Sequence, residues 1–207
     1  MHRAEDESRK RIKSMSDLIA WGDESIQTQG AAPPAYYLGV CICTCEEVEV
    51  RRRLLPAVRK GVRKMHWRDM TPKEKRRSIQ LIDALSIPHI VVEAAPLDGT
   101  IHPERARRKC LECLLRVLEQ EYGVTRLVLE AREASQDRRD LECVMGFRRS
   151  HLINELRVDF ASGTSDARLW IPDQVLGLIG DIRRGSLSSA LLPGRIDKRV
   201  VNLRQLM

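Results

Sequence analysis

Leu18-Ile-Ala-Trp-Gly-Asp-Glu-Ser25 joins a short apolar run to two adjacent carboxylates and a hydroxyl. Strand side chains alternate between faces, so Asp23 and Glu24 are expected on opposite sides of one strand. One of them then looks into a site at the strand end, and the other toward solvent or supporting residues. Two distant acids are candidates to join Asp23. Glu130 closes the apolar run Val124-Thr-Arg-Leu-Val-Leu-Glu130, and Asp173 opens an apolar helix within Leu169-Trp-Ile-Pro-Asp-Gln-Val-Leu-Gly-Leu-Ile179. Clustered carboxylates are hard oxygen donors suited to Mg²⁺ or Mn²⁺, and paired ions of that kind support in-line displacement at a phosphodiester. A single acid at a strand end or helix start is ordinarily a cap or a solvated residue. The inference therefore rests on the three acids together.

A chain of 207 residues is long enough for one domain with a sizeable core. Hydrophobic residues make up 43% and charged residues 31%, the balance of a soluble globular protein. Aromatic residues are only 4%, so the core is expected to be built of Leu, Ile, Val and Ala. No apolar run approaches the ~20 residues of a membrane span, and the first residues lack the apolar stretch of a secretory signal. No membrane association is expected, and the six cysteines are expected as thiols in a reducing cytoplasm.

The net charge of +7 and the isoelectric point near 9.3 favour polyanions, nucleic acid being the commonest. Basic residues cluster at 51–53, 105–109, 148–149 and 183–184. Arg68, Arg105, Arg108, Arg148, Arg149 and Arg183 are the candidate contacts to a nucleic-acid backbone, and each can equally belong to a solvated helix face. A homodimer or a protein partner stays open.

Along the chain, residues 1–16 are charged and weakly apolar and are expected as an N-terminal arm. A strand over about 17–24 is followed by Tyr36–Thr44, rich in β-formers and expected to pair with it. Glu46 to about Arg59 is expected as a helix interrupted at Pro56. Thr71 starts the next helix as N-cap, with Pro72 at its first position and Glu74 at its third. Pro88–Ala95 is a strand, Pro103 to about Glu121 a helix ended by Gly123, and Val124–Glu130 a strand. A helix over about 135–152, a short strand at 155–160 and a helix from Pro172 to about Arg183 complete the domain, 17–184. Residues 185–207 are expected as a basic C-terminal tail. The order implies an α/β fold with a mixed sheet of about five strands and helices on both faces. That order fits a ribonuclease-H-like fold, in which the first strand is central and the last helix returns across the face that carries the acids.

The Asp23-Glu24-Ser25 signature, the Tyr37-Leu-Gly-Val second strand and the His66 segment resemble a bacterial domain-of-unknown-function family. Its hallmark is an N-terminal Asp-Glu-Ser-Gly motif on a ribonuclease-H-like fold. The carboxylate closing Leu127-Val-Leu-Glu130 and the late Leu169-Trp-Ile-Pro-Asp173 also match, the family showing near there a Leu-Gln-Leu-Ala-Asp motif. The resemblance spans roughly residues 18–184 and implies a nuclease-like role without naming a substrate. Ile26 stands where that family has Gly, Glu130 where it has Asp, and Trp170 and Pro172 where it has Gln and Ala. Glu in place of Asp keeps the carboxylate and lengthens its reach by one methylene, which alters metal geometry.

Two function classes follow. In the first, a metal-dependent nuclease, Asp23, Glu130, Asp173 and His66 are catalytic, and Asp23, Glu24, Glu130 and Asp173 hold Mg²⁺ or Mn²⁺. His66 could bind metal or move a proton, or simply bond to its loop neighbours, Asp69 among them. Glu112 and Glu93 are further acids for a fourth position. Asp137 and Asp140 either reach the same rim or start a helix. In the second class the chain is a non-catalytic nucleic-acid-binding or assembly subunit on the same fold. Cys41, Cys43 and Cys45 share one strand face and are expected as buried thiols, and Ser25 has no visible His-Asp relay.

Overall fold

Among the residues described by the computed structural model, 18–30 and 32–206, six strands form one sheet. The expected arm at 1–16 lies outside the described residues. The elements run β1 (Leu18–Gln27), β2 (Ala35–Ile42), α1 (Glu47–Leu54), α2 (Pro72–Asp83), β3 (His89–Ala95) and α3 (Pro103–Gln120). They continue with β4 (Val124–Glu130), α4 (Ala134–Arg149), β5 (Arg157–Ala161), α5 (Trp170–Arg183) and β6 (Ile196–Asn202). Local signals place most of them. Thr71 and Glu74 form the capping box of α2, a 3₁₀ turn containing Pro56 follows α1, and Gly123 takes the positive φ of 67° between α3 and β4.

The sheet order is β5-β4-β1-β2-β3-β6. β2 is antiparallel to β1 and β3, whereas β4 runs parallel to β1 and β5. The arrangement is ribonuclease-H-like: β1 is interior, β2 and β4 flank it, and α5 lies back across β1 and β2. One feature differs from expectation. The segment 185–207, expected as a basic tail, supplies β6, which pairs parallel with β3 from His89↔Ile196 to Ala95↔Asn202. The strand count is therefore six rather than five. Ile196-Asp-Lys-Arg-Val-Val-Asn202 is charged because it is an edge strand, half exposed along its length.

Strand alternation sorts the core into two layers. Leu38, Val40, Val92 and Leu129 face α3 and α4, packing on Leu111, Leu115, Val144 and Phe147. Trp21, Tyr37, Val91 and Val128 face α1, α2 and α5, packing on Leu54, Ile82, Trp170 and Leu176. Asp23 is two residues beyond Trp21 and shares its face. Opposite Asp23 across the ladder is Gly39. A Cβ there would lie 2.7 Å from Leu176 Cδ2, so the missing side chain lets α5 seat directly on the sheet beside Asp23. None of the described helices is long and apolar enough to cross a membrane.

Candidate carboxylate site

β1 and β4 run side by side with Trp21↔Val128 and Gly22↔Leu129 in register. The next residue on each strand is an acid, Asp23 and Glu130, and parallel register points both to the α5 face. Asp173 sits in the first turn of α5. All three line one cleft of about 910 Å³, together with Lys64, His66, Arg68 and Arg132.

The acids feel one another. Burial pushes the Asp23 carboxyl well above the ordinary carboxylate range, and the charges of Glu130 and Asp173 push the same way against Lys64 and Arg107. Asp173 is also raised by burial, opposed by the Trp67 N–H, Lys64 and His66. Its Oδ2 accepts the Trp67 backbone N–H and the Gln174 amide, both at 2.9 Å. Glu130 Oε1 is paired with the Lys64 ammonium, and Glu130 Oε2 is buried with no hydrogen-bond partner.

Glu24, expected as a fourth metal ligand, turns to the other face of β1. Its carboxylate is ion-paired with Arg107 and accepts the Tyr36 hydroxyl. Arg107 is 2% exposed and also grips Asp140, with Nη2 at 2.7 Å from Oδ2. Glu24 and Asp140 thus share an ionic network through Arg107, and Glu24 also lines the cleft beside the three acids. Asp137 accepts the Arg132 N–H at 3.1 Å. Glu112 pairs with Lys109 at 2.8 Å on α3, across the sheet, and Glu93 pairs with Arg183 and Lys198. His66 stands at the cleft, close enough to Asp173 to act on it electrostatically.

The expected arginines separate. Arg68 is exposed on the cleft rim. Arg105, Arg108, Arg148 and Arg149 lie on α3 and α4, which cover the opposite face, with Arg148 donating to the Leu156 carbonyl at 2.8 Å. Arg183 is held by Glu93 and by the Tyr37 hydroxyl at 2.7 Å. Lys64 and Arg132 are cleft cations that sequence reasoning passed over, and Arg184, from the basic pair 183–184, lines the cleft with them. Lys64 sits in an irregular segment whose local pattern carries no sign that it turns inward.

The donor chemistry of Asp23, Glu130 and Asp173 suits a hard divalent ion, and Glu130 Oε2 is an acceptor left without a donor. The grouping does not. Among the described residues no three His, Cys, Asp or Glu side chains are assembled to hold a metal ion, and the cation against Glu130 is Lys64. All six cysteines are free, with Cys41 and Cys43 buried.

No family model and no curated protein sequence matches the chain. The Asp-Glu-Ser-Gly resemblance therefore stands on the motif residues alone. Among solved structures, the chain is similar to that of the PCNA:RNase HII complex from Archaeoglobus fulgidus. The identity is 13%, the match covers 81% of this chain and 74% of that chain, and the TM-score is 0.45.

Proposed function

We propose that the cleft is the site of a metal-dependent nuclease acting on the phosphodiester backbone of DNA or RNA. The observation that carries this is the convergence of Asp23, Glu130 and Asp173, from β1, β4 and α5, on one cleft. Asp23, Glu130 and Asp173 supply the donor chemistry for Mg²⁺ or Mn²⁺, and would hold an ion only in a closer arrangement than the one described. A bound ion of this kind supplies a Lewis acid for the phosphoryl oxygen and a water of lowered pKa. The chain's own residues do the positioning. Trp67 N–H and Gln174 fix the Asp173 carboxylate; His66, on the cleft lining, would give or take a proton, and Arg68 would meet a phosphate at the rim. Such backbone contacts bring affinity with little sequence choice. The free cysteines are in keeping with a reducing cytoplasm.

A second function, a nucleic-acid-binding or assembly subunit without cleavage, is favoured by the Lys64–Glu130 ion pair, which occupies a prospective metal ligand. One experiment separates them: incubation of the full chain with mixed-sequence DNA and RNA in Mn²⁺ and in EDTA. Mn²⁺-dependent cleavage that Asp23→Ala abolishes is the expected result. Binding without cleavage would select the second function.

A further inference from the structure

The cleft has a second end, away from the three acids. Lys75 and Arg184 line it, with side chains 17% and 32% exposed. Behind them lies Asp181, 5% exposed. Its Oδ2 accepts the Lys75 ammonium at 2.8 Å and the Trp67 indole N–H at 3.0 Å, and its Oδ1 is paired with Arg184. Burial works against the charge of Asp181, yet Lys75 and Arg184 hold its carboxyl below the usual carboxylate range. Arg184 also donates to Gln27 Oε1 at 2.7 Å, and Gln27 donates in turn to Ser25 Oγ at 2.7 Å. Gly180 makes room for this amide, since a Cβ there would lie 2.5 Å from Gln27 Nε2. The Lys75 ammonium stands 4.8 Å from the centroid of the Trp67 ring. Both cations are thus oriented by fixed partners, and one carboxylate against the two leaves this end net positive. Trp67 joins it to the acid end, its backbone N–H held by Asp173 and its indole N–H by Asp181. Asp173 to Asp181 covers ~12 Å of helix at ~1.5 Å per residue, and Asp23 to Gln27 covers ~13 Å of strand at ~3.3 Å per residue.

We propose that Lys75 and Arg184 form a phosphate subsite, gripping a nucleic-acid strand about three to four stacked nucleotides, at ~3.4 Å each, from the three acids. The ligand chemistry is a phosphodiester, shared by DNA and RNA, on a strand long enough to reach both ends of the cleft. This rests on the nucleic-acid function proposed above and adds a minimum length for its substrate. No divalent ion is needed for it. Arg184 has N–H groups beyond those used on Asp181 and Gln27, and the Lys75 ammonium is a point charge with donors to spare. Both can meet phosphate oxygens in charge-assisted hydrogen bonds, with the orienting cost already met by Asp181. Carboxylates repel a phosphate at the other end of the cleft, so the net positive end sets where the strand lies.

The test is fluorescence anisotropy in EDTA with labelled dimers and hexamers of thymidylate and of uridylate. The proteins are the wild-type chain, Arg184→Gln and Lys75→Gln, each variant leaving Asp181 one of its cations. Each variant is expected to lose about tenfold in hexamer affinity and ~0.7 in salt slope, with dimer binding hardly changed. A loss seen with thymidylate only, or with uridylate only, would uphold the subsite and name its nucleic acid. Unchanged hexamer affinity, whatever the melting temperature, would make Lys75 and Arg184 structural partners of Asp181. That would overturn the subsite and leave nucleic-acid binding standing. No hexamer binding by the wild type would overturn nucleic-acid binding and the subsite with it. Removing one partner of a buried ion pair can unfold a protein, so a second measurement uses the wild-type chain. Acylation of Lys75 by an amine-reactive reagent is read by mass spectrometry relative to exposed Lys60. It is expected to fall severalfold under saturating hexamer, and unchanged labelling there would overturn the proposal.

Discussion

Asp173 Oδ2 accepts the backbone N–H of Trp67 at 2.9 Å. This bond ties the first turn of α5 to the segment that carries Lys64 and His66. Gly177, one turn further along α5, completes the join: a Cβ there would lie 2.1 Å from Trp67 Cγ, so the indole rests on bare helix backbone. Residues more than a hundred positions apart are thereby fixed on one wall of the cleft.

Asp173→Asn keeps an acceptor for the Trp67 N–H and removes a charge whose burial is unfavourable. Its melting temperature is expected to equal or exceed that of the wild type. Asp173→Ala leaves the N–H unpaired and is expected to cost about 1–3 kcal/mol. Under the nuclease function, cleavage falls by orders of magnitude in Asp173→Asn while nucleic-acid binding persists. Parallel cleavage, binding and melting measurements decide it, and unaltered cleavage would remove Asp173 from the site.

Stability is expected to fall with rising pH through Asp23. Burial, with Glu130 and Asp173, holds its carboxyl above the range of an exposed aspartate, which is ~3.9 in an unfolded chain. Between that value and the raised folded value, the unfolded chain is ionised while the folded one keeps its proton. Folding is then penalised progressively as pH increases, and the contribution is fully present only below ~3.9. Asp23→Asn removes the effect. In EDTA its melting temperature should exceed that of the wild type at pH 7, with the gap closing toward pH 4. A gap independent of pH would show that the carboxyl is not raised.

Arg107→Leu is expected to destabilise the chain by about 3–5 kcal/mol. It strips the main partner from Asp140, which is 4% exposed and would retain Arg132 at 3.2 Å. Arg107→Leu/Asp140→Leu should recover part of the loss, because the uncompensated charge is then gone. Denaturant unfolding of both variants measures this. A double variant as unstable as the single one would place the cost in packing rather than in charge.

Binding to mixed-sequence nucleic acid is expected to weaken steeply with salt, as several phosphates are neutralised. The two faces of the sheet make separate predictions. Arg68→Ala, at the cleft, should weaken binding and lower the salt slope by about 1. Arg148→Ala/Arg149→Ala, at the end of α4, should leave the slope nearly unchanged. Fluorescence anisotropy from low to moderate salt reads both. The reverse pattern would move the nucleic-acid surface to the α3/α4 face.

The sequence alone determined most of the elements, because their signals are local. Val124–Glu130 is legible as a strand with the bounds that β4 has. The capping box at Thr71, the break at Pro56 and the glycine after α3 mark chain direction within a few residues. Opposite faces for Asp23 and Glu24 follow from strand alternation and are found, one toward α5 and the other toward Arg107. Tertiary structure decided the rest, through contacts between distant residues. The β1/β4 register sets Glu130 beside Asp23, and Gly39 lets α5 descend to bring in Asp173. β6 escaped the sequence because an edge strand needs no continuous apolar run. Lys64 escaped it because a lysine in an irregular segment normally reaches water. Only folding, which buries its stem on Gly163 and leaves Glu130 as the available counter-charge, turns it inward.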